Sequence, residues 1–163
     1  MSGYFALDPR ALTPEDAPGA RVLLIGTLGV TPYVDRAIEI LELAERGQGP
    51  EYQALVVARD ATVAALALFG SIAGTAGGTR LYTIALDPTV VGSDIGRRLL
   101  AAVAAKAAAD GRRYVLVELA DDPAIGTLAT LLREAGYAEE ARVPDFYRDG
   151  VALIFMRLVL HPA

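Results

Sequence analysis

The segment Val91-Gly92-Ser93-Asp94-Ile95-Gly96 runs into Arg97-Arg98 and then into an alanine-rich stretch with apolar residues at helical spacing. Backbone N–H groups of a glycine turn at a helix N-terminus bind anions, because no side chain intervenes and the helix dipole favours negative charge. The turn is therefore a candidate phosphate site, although Asp94 brings a charge of the wrong sign into it. Its plainer reading is a cap, in which Ser93 or Asp94 starts a core helix. For proton transfer, Tyr147 offers a phenol of pKa about 10 that can serve as an acid, and Glu118 a carboxylate that can serve as a base. Asp121-Asp122 can attract a cation, but Asp-Asp-Pro is also an ordinary helix start.

Other chemistry is excluded by inventory. There is no cysteine, which removes disulfides, thiolate metal sites and cysteine nucleophiles together. The serines are Ser2, Ser71 and Ser93, and the one histidine, His161, sits at the carboxyl end, so a serine-histidine-acid triad is not available. The glycine-rich Gly70 to Gly78 lacks the Gly-Lys-Ser/Thr ending of a nucleotide loop and reads as a strand connection.

These residues need elements to hold them. The spacing predicts a short strand over Tyr4 to Leu7 and a helix started by Thr13-Pro14-Glu15-Asp16, made ragged by Pro18-Gly19. A second helix follows Thr31-Pro32, with Val34, Ala37, Ile38, Leu41 and Ala44 on one face, and stops at Gly47. Alternating patterns over Ala54 to Arg59, Thr62 to Ser71 and Thr79 to Leu86 predict an antiparallel meander ended by Asp87-Pro88. A long helix is expected from Ser93 to Asp110, with Ile95, Leu99, Val103 and Ala107 in register before Gly111. The valine-rich Arg113 to Leu119 reads as a buried strand, with Glu118 opposite Val117 and Leu119. A helix over Pro123 to Ala135 then completes a parallel crossover. Two last strands, Tyr137 to Val143 and Val151 to Leu160, flank a loop from Pro144 to Gly150 that carries Tyr147.

A chain of 163 residues, 53% of them hydrophobic, suffices for one core and is short for two domains, so residues 1–163 are read as a single domain. The net charge is −5, and the basic residues are scattered, which argues against a nucleic-acid partner. No apolar stretch reaches membrane-spanning length and the amino terminus lacks a secretion signal, so a cytoplasmic protein without a membrane partner is expected. The absence of Trp and the wealth of alanine, glycine and arginine suggest a GC-rich bacterial source.

The element order, together with several local sequences, resembles the GNAT superfamily of N-acetyltransferases over nearly the whole chain. Leu81-Tyr82-Thr83-Ile84-Ala85-Leu86-Asp87-Pro88 is similar to the family's fourth strand, Gly136-Tyr137 to its glycine-aromatic pair, and Phe146-Tyr147-Arg148-Asp149-Gly150 to its closing hairpin. Val91 to Gly96 stands at the family's phosphate motif, where Gly96 agrees and Val91 and Asp94 depart from it. The resemblance implies a mixed α/β fold, a central mixed sheet flanked by helices, and transfer of an acetyl group from acetyl-CoA to an amine acceptor. That acceptor would be a small molecule or a peptide. Cofactor contacts would fall on Ile84, Ala85 and Leu86, whose backbone would supply the oxyanion donor, and on Val91, Gly92, Ser93, Asp94, Ile95, Gly96 and Arg97. Leu132 stands where the family commonly has its tyrosine acid, which leaves that role to Tyr147, while Glu118 occupies a position where the family often has a glutamate base. The departures at Asp94 and Leu132 keep a second reading open, a catalytically weakened acyl-CoA-binding or association module, and a homodimer is left open as well.

Overall fold

A computed structural model describes residues 7–29, 32–47 and 49–161. The chain order is β1 (Arg10–Ala11), α1 (Ala17–Leu28), α2 (Pro32–Glu45), β2 (Gln53–Arg59), β3 (Thr62–Ser71), β4 (Gly78–Leu86), α3 (Ile95–Ala109), β5 (Tyr114–Ala120), a 3₁₀ turn (Pro123–Ile125), α4 (Gly126–Glu134), β6 (Ala138–Arg148) and β7 (Val151–Val159). The strands form one seven-stranded sheet in the order β1-β2-β3-β4-β5-β7-β6. The β4–β5 pair is parallel, joined through α3, and every other neighbouring pair is antiparallel.

Two apolar cores follow from the alternation of the strands. Ala65, Ala67, Phe69, Val115, Val117 and Leu119 meet Ile95, Leu99 and Val103 of α3 and Leu132 of α4 on one face. Leu66, Leu68 and Val56 meet Leu23 and Leu24 of α1 and Ile40 and Leu41 of α2 on the other. Gly19 lets α1 approach the β2–β3 turn, where an added Cβ would lie 2.3 Å from the Ala61 carbonyl oxygen. The glycine that the sequence marks as a source of raggedness is thus a packing requirement.

Several boundaries differ from expectation. The strand over Tyr4 to Leu7 lies almost wholly outside the described residues, and Leu7 itself is not in a strand. Among the described residues, the first strand is a two-residue one at Arg10–Ala11. The first α-helix begins at Ala17 rather than beside Thr13, because Asp16 turns back on the preceding segment: its carboxylate accepts from the Thr13 N–H and hydroxyl at 2.8 and 2.9 Å. Arg10 adds two contacts to the same carboxylate, at 2.6 and 2.9 Å, and so ties β1 to the head of α1. The helix over Pro123 to Ala135 opens with a 3₁₀ turn capped by Asp122, whose carboxylate accepts from the Ala124 N–H.

The largest correction concerns Pro144 to Gly150, which is not a loop. Strand β6 continues through Arg148, and only Asp149-Gly150 turn the chain. The strand passes Asp145 in a left-handed conformation (φ 53°), which aspartate tolerates, and the Asp145 carboxylate accepts from the Gly150 N–H at 2.7 Å. The register shift between Val143 and Arg148 marks the resulting irregularity.

Candidate active site

One irregularity in β4 organises the site. Leu68 pairs with Thr83 and Phe69 with Leu81, so Tyr82 is an extra residue bulged out of the β3–β4 ladder. The bulge reverses the alternation: Leu81 belongs to the core beneath α3, whereas Ala85, four residues on, belongs to the core beneath α1 and α2. It also bends β4 away from β5. Parallel pairing runs from Gly78↔Tyr114 to Leu81↔Val117 and then stops. Beyond that rung, β4 is paired with β3 only, and the side of Thr83 to Leu86 that faces β5 has no strand partner.

A cleft of about 700 Å³ opens at this divergence. Ile84, Glu118 and Tyr147 all line it, which brings together from β4, β5 and β6 three of the residues singled out in the sequence. Glu118 is exposed into it because Val117 and Leu119 are buried on the opposite face. Tyr147 projects from β6, partly exposed, with Phe146 edge-on to it at 5.0 Å. Burial, and secondarily the neighbouring Tyr33 and Glu118, push the Tyr147 phenol above its ordinary pKa, so it is protonated at neutral pH and is a donor rather than a base. Leu132 is fully buried in the core.

Three polar residues of the cleft have no counterpart in the sequence reading. Arg80 Nη2 lies 2.9 Å from Glu118 Oε1. Tyr33 and Arg36 enter from α2, and Arg36 is paired with Glu39 at 3.0 Å. Local patterns do not reveal such partners, because pairs like Arg80 and Glu118 are separated by a whole crossover. Asp122 also lines the cleft and is held by Arg148, whereas Asp121 is engaged by Arg142.

The turn from Val91 to Arg97 does not line this cleft. Gly92 has φ 83°, Ser93 N donates to the Val90 carbonyl, and the Ser93 hydroxyl accepts from Ile95 N at 3.3 Å. Ser93 therefore does the capping, while Asp94 occupies the N-cap position of α3 without a side-chain capping bond. Ile95 and Gly96 are buried; a Cβ on Gly96 would lie 2.9 Å from Leu131 and 3.1 Å from Leu86, so this glycine lets α3 close on α4 and the end of β4. Val91 and Arg97 are exposed. The first internal bond of the helix is Arg98 N to Asp94 O, and among the described residues the N–H groups of Gly96 and Arg97 have no acceptor within the chain.

No protein-family model matches the sequence, and no curated protein matches it significantly. Solved structures do. A protein of Desulfovibrio desulfuricans, described as an acetyltransferase of the GNAT family, is 29% identical and superposes with a TM-score of 0.86 over 96% of this chain and all of its own. The ribosomal-protein-S18-alanine N-acetyltransferase of Escherichia coli is 19% identical, with a TM-score of 0.74 over 95% of this chain and 94% of its own. YncA of Salmonella typhimurium, described as an acetyltransferase and solved with its cofactor acetyl-CoA, is 20% identical, with a TM-score of 0.69 over 95% of each chain. The fold of this chain, a mixed seven-stranded sheet flanked by helices, is that of the GNAT acetyltransferases.

Proposed function

We propose that residues 1–163 form one acetyltransferase domain that moves an acetyl group from acetyl-CoA to an amine. The observation that carries this reading is the unpaired edge of β4 over Thr83 to Leu86, which opens beside a cleft holding both a carboxylate and a phenol. Acetyl-CoA fits the chemistry of the residues present. Its amides have donors and acceptors to meet along that edge, and its pyrophosphate has the free N–H groups of Gly96 and Arg97 at the positive end of α3. The acetyl-CoA found with YncA, which shares the fold, supports the same choice.

In this reading the backbone N–H groups around Ile84 to Leu86 hold the thioester carbonyl oxygen as it gains negative charge. Glu118 takes a proton from the acceptor ammonium, directly or through one water, so that a neutral nitrogen attacks the carbonyl carbon. A C–N bond forms, the C–S bond breaks, and the nitrogen sheds its second proton to solvent as the amide is completed. Tyr147 passes its phenolic proton to the departing sulfur, and solvent restores it. The acceptor is a small molecule or peptide amine that enters between α2, β5 and β6.

Melting temperature measured with acetyl-CoA, with CoA and without ligand tests the first half of this reading, since a ligand specific to the native state stabilises it by about 2.7 kcal/mol at a hundredfold excess over Kd. Thiol release across a panel of amines tests the second. A shift with thiol release supports the enzyme; a shift without release from any amine leaves a binding module; no shift overturns both.

A further inference from the structure

We infer that Arg80 is a positioning residue for Glu118, clasping its carboxylate across the mouth of the β4–β5 divergence so that one oxygen is left for the acceptor amine. The inference rests on the acetyltransferase reading and adds to it a residue from the opposite strand.

The register locates the clasp. Arg80 pairs with Leu116, the last backbone rung is Leu81↔Val117, and Glu118 is the first β5 residue beyond it. The side-chain pair therefore spans the place where the ladder ceases to hold β4 and β5 together. Leu81 and Val117 point into the core beneath α3, so Arg80 and Glu118 share the opposite face, the one that lines the cleft. Arg80 Nη2 approaches Glu118 Oε1 to 2.9 Å, an ion pair made across the cleft by one end of the guanidinium.

A pair in which both side chains are more than a third exposed adds little to stability. Here the effect falls on orientation. An exposed glutamate samples several rotamers, and a base displaced by about 1 Å from its proton loses on the order of a hundredfold in rate. The Nε of Arg80 is buried without any acceptor, a costly placement for a donor. The guanidinium is thus not held by its own best hydrogen bonding. One of its outer nitrogens, Nη2, lies against the Glu118 carboxylate, which is what a positioning role requires.

A double-mutant cycle tests the inference. Arg80→Met should lower kcat by about tenfold while the KM for acetyl-CoA stays constant, and Arg80→Lys, which keeps the charge but not the planar fork, should restore part of the loss. In a Glu118→Gln background, Arg80→Met should lower kcat no further, because the two residues act as one unit. Losses that multiply in the double mutant would overturn the inference, as would a raised KM for acetyl-CoA at constant kcat. Should Arg80→Met fail to fold, the cycle is run with Arg80→Lys, and either full activity of that variant or a loss that persists with Gln at position 118 is the overturning result. A wild-type chain that turns over no amine sinks the acetyltransferase reading itself and this inference with it. An active wild type with independent losses sinks this inference alone.

Discussion

Asp94 Oδ1 lies 3.7 Å from Arg98 Nη1, one turn further along α3. Arg98 also reaches the Asp8 carboxylate at 2.9 Å and the Leu7 carbonyl oxygen, so it draws the Asp94 charge toward the segment that precedes β1. The residue that departs most from the family's phosphate motif is thus partly compensated by a neighbour.

For Asp94→Gly, acetyl-CoA should bind more tightly by up to about 1 kcal/mol, because a like charge leaves the anion site. The ligand-free protein should lose only a few tenths of a kcal/mol, since Asp94 makes no capping hydrogen bond that glycine would forfeit. Calorimetric titration at two salt concentrations checks both the sign and the origin: the gain must shrink at high salt. Equal or weaker binding by the variant means that the phosphates lie elsewhere.

Tyr147→Phe should lower turnover by roughly ten- to a hundredfold at saturating acetyl-CoA, with little change in melting temperature. The ring keeps its edge-on contact with Phe146, so packing is retained while the donor is lost. Undiminished turnover would remove Tyr147 from the reaction.

Glu118→Gln should move the acidic limb of the pH–kcat/KM profile to higher pH, because the acceptor must then lose its proton to solvent. An unchanged limb would show that Glu118 serves only to hold Arg80.

Acid stability should report on Asp16, which is buried and whose carboxyl is lowered to about 2 by the hydrogen bonds from Arg10, reinforced by those from Thr13. A folded-state pKa below the unfolded value near 3.9 adds stability above that value, lost as pH falls through about 4 toward about 2. The contribution is on the order of 2 kcal/mol. Asp16→Asn should therefore unfold more easily at pH 7 and show a weaker dependence on pH between 4 and 2. Parallel urea titrations of both proteins read the difference.

Much of the fold was legible because its signals are local. Asp87-Pro88 ends β4, Gly111 and Gly136 follow α3 and α4 with positive φ, and the valine alternation of β5 puts Glu118 on the face opposite Val117 and Leu119. The bulge at Tyr82 was not legible, since a single extra residue changes which neighbours a strand meets without changing its composition. Pro144, Asp145 and Gly150 suggested a loop, but the chain stays extended through them and β6 rejoins the ladder at Arg148↔Val151. Within the site, Ile84, Glu118 and Tyr147 were named from resemblance, whereas Arg80, Tyr33 and Arg36 come near them only through the tertiary fold.

Because of the bulge, this sheet has edges of two kinds. Of its two outer edges, β1 is only two residues long, while β6 is exposed along its whole length; Pro144, the kink at Asp145 and a row of charged side chains make β6 a poor template for a passing strand. The inner one, Thr83 to Leu86, lies between the flanks of β4 and β5, where a second polypeptide would have to thread into the molecule. It carries the same appetite for hydrogen bonds without the same exposure to aggregation.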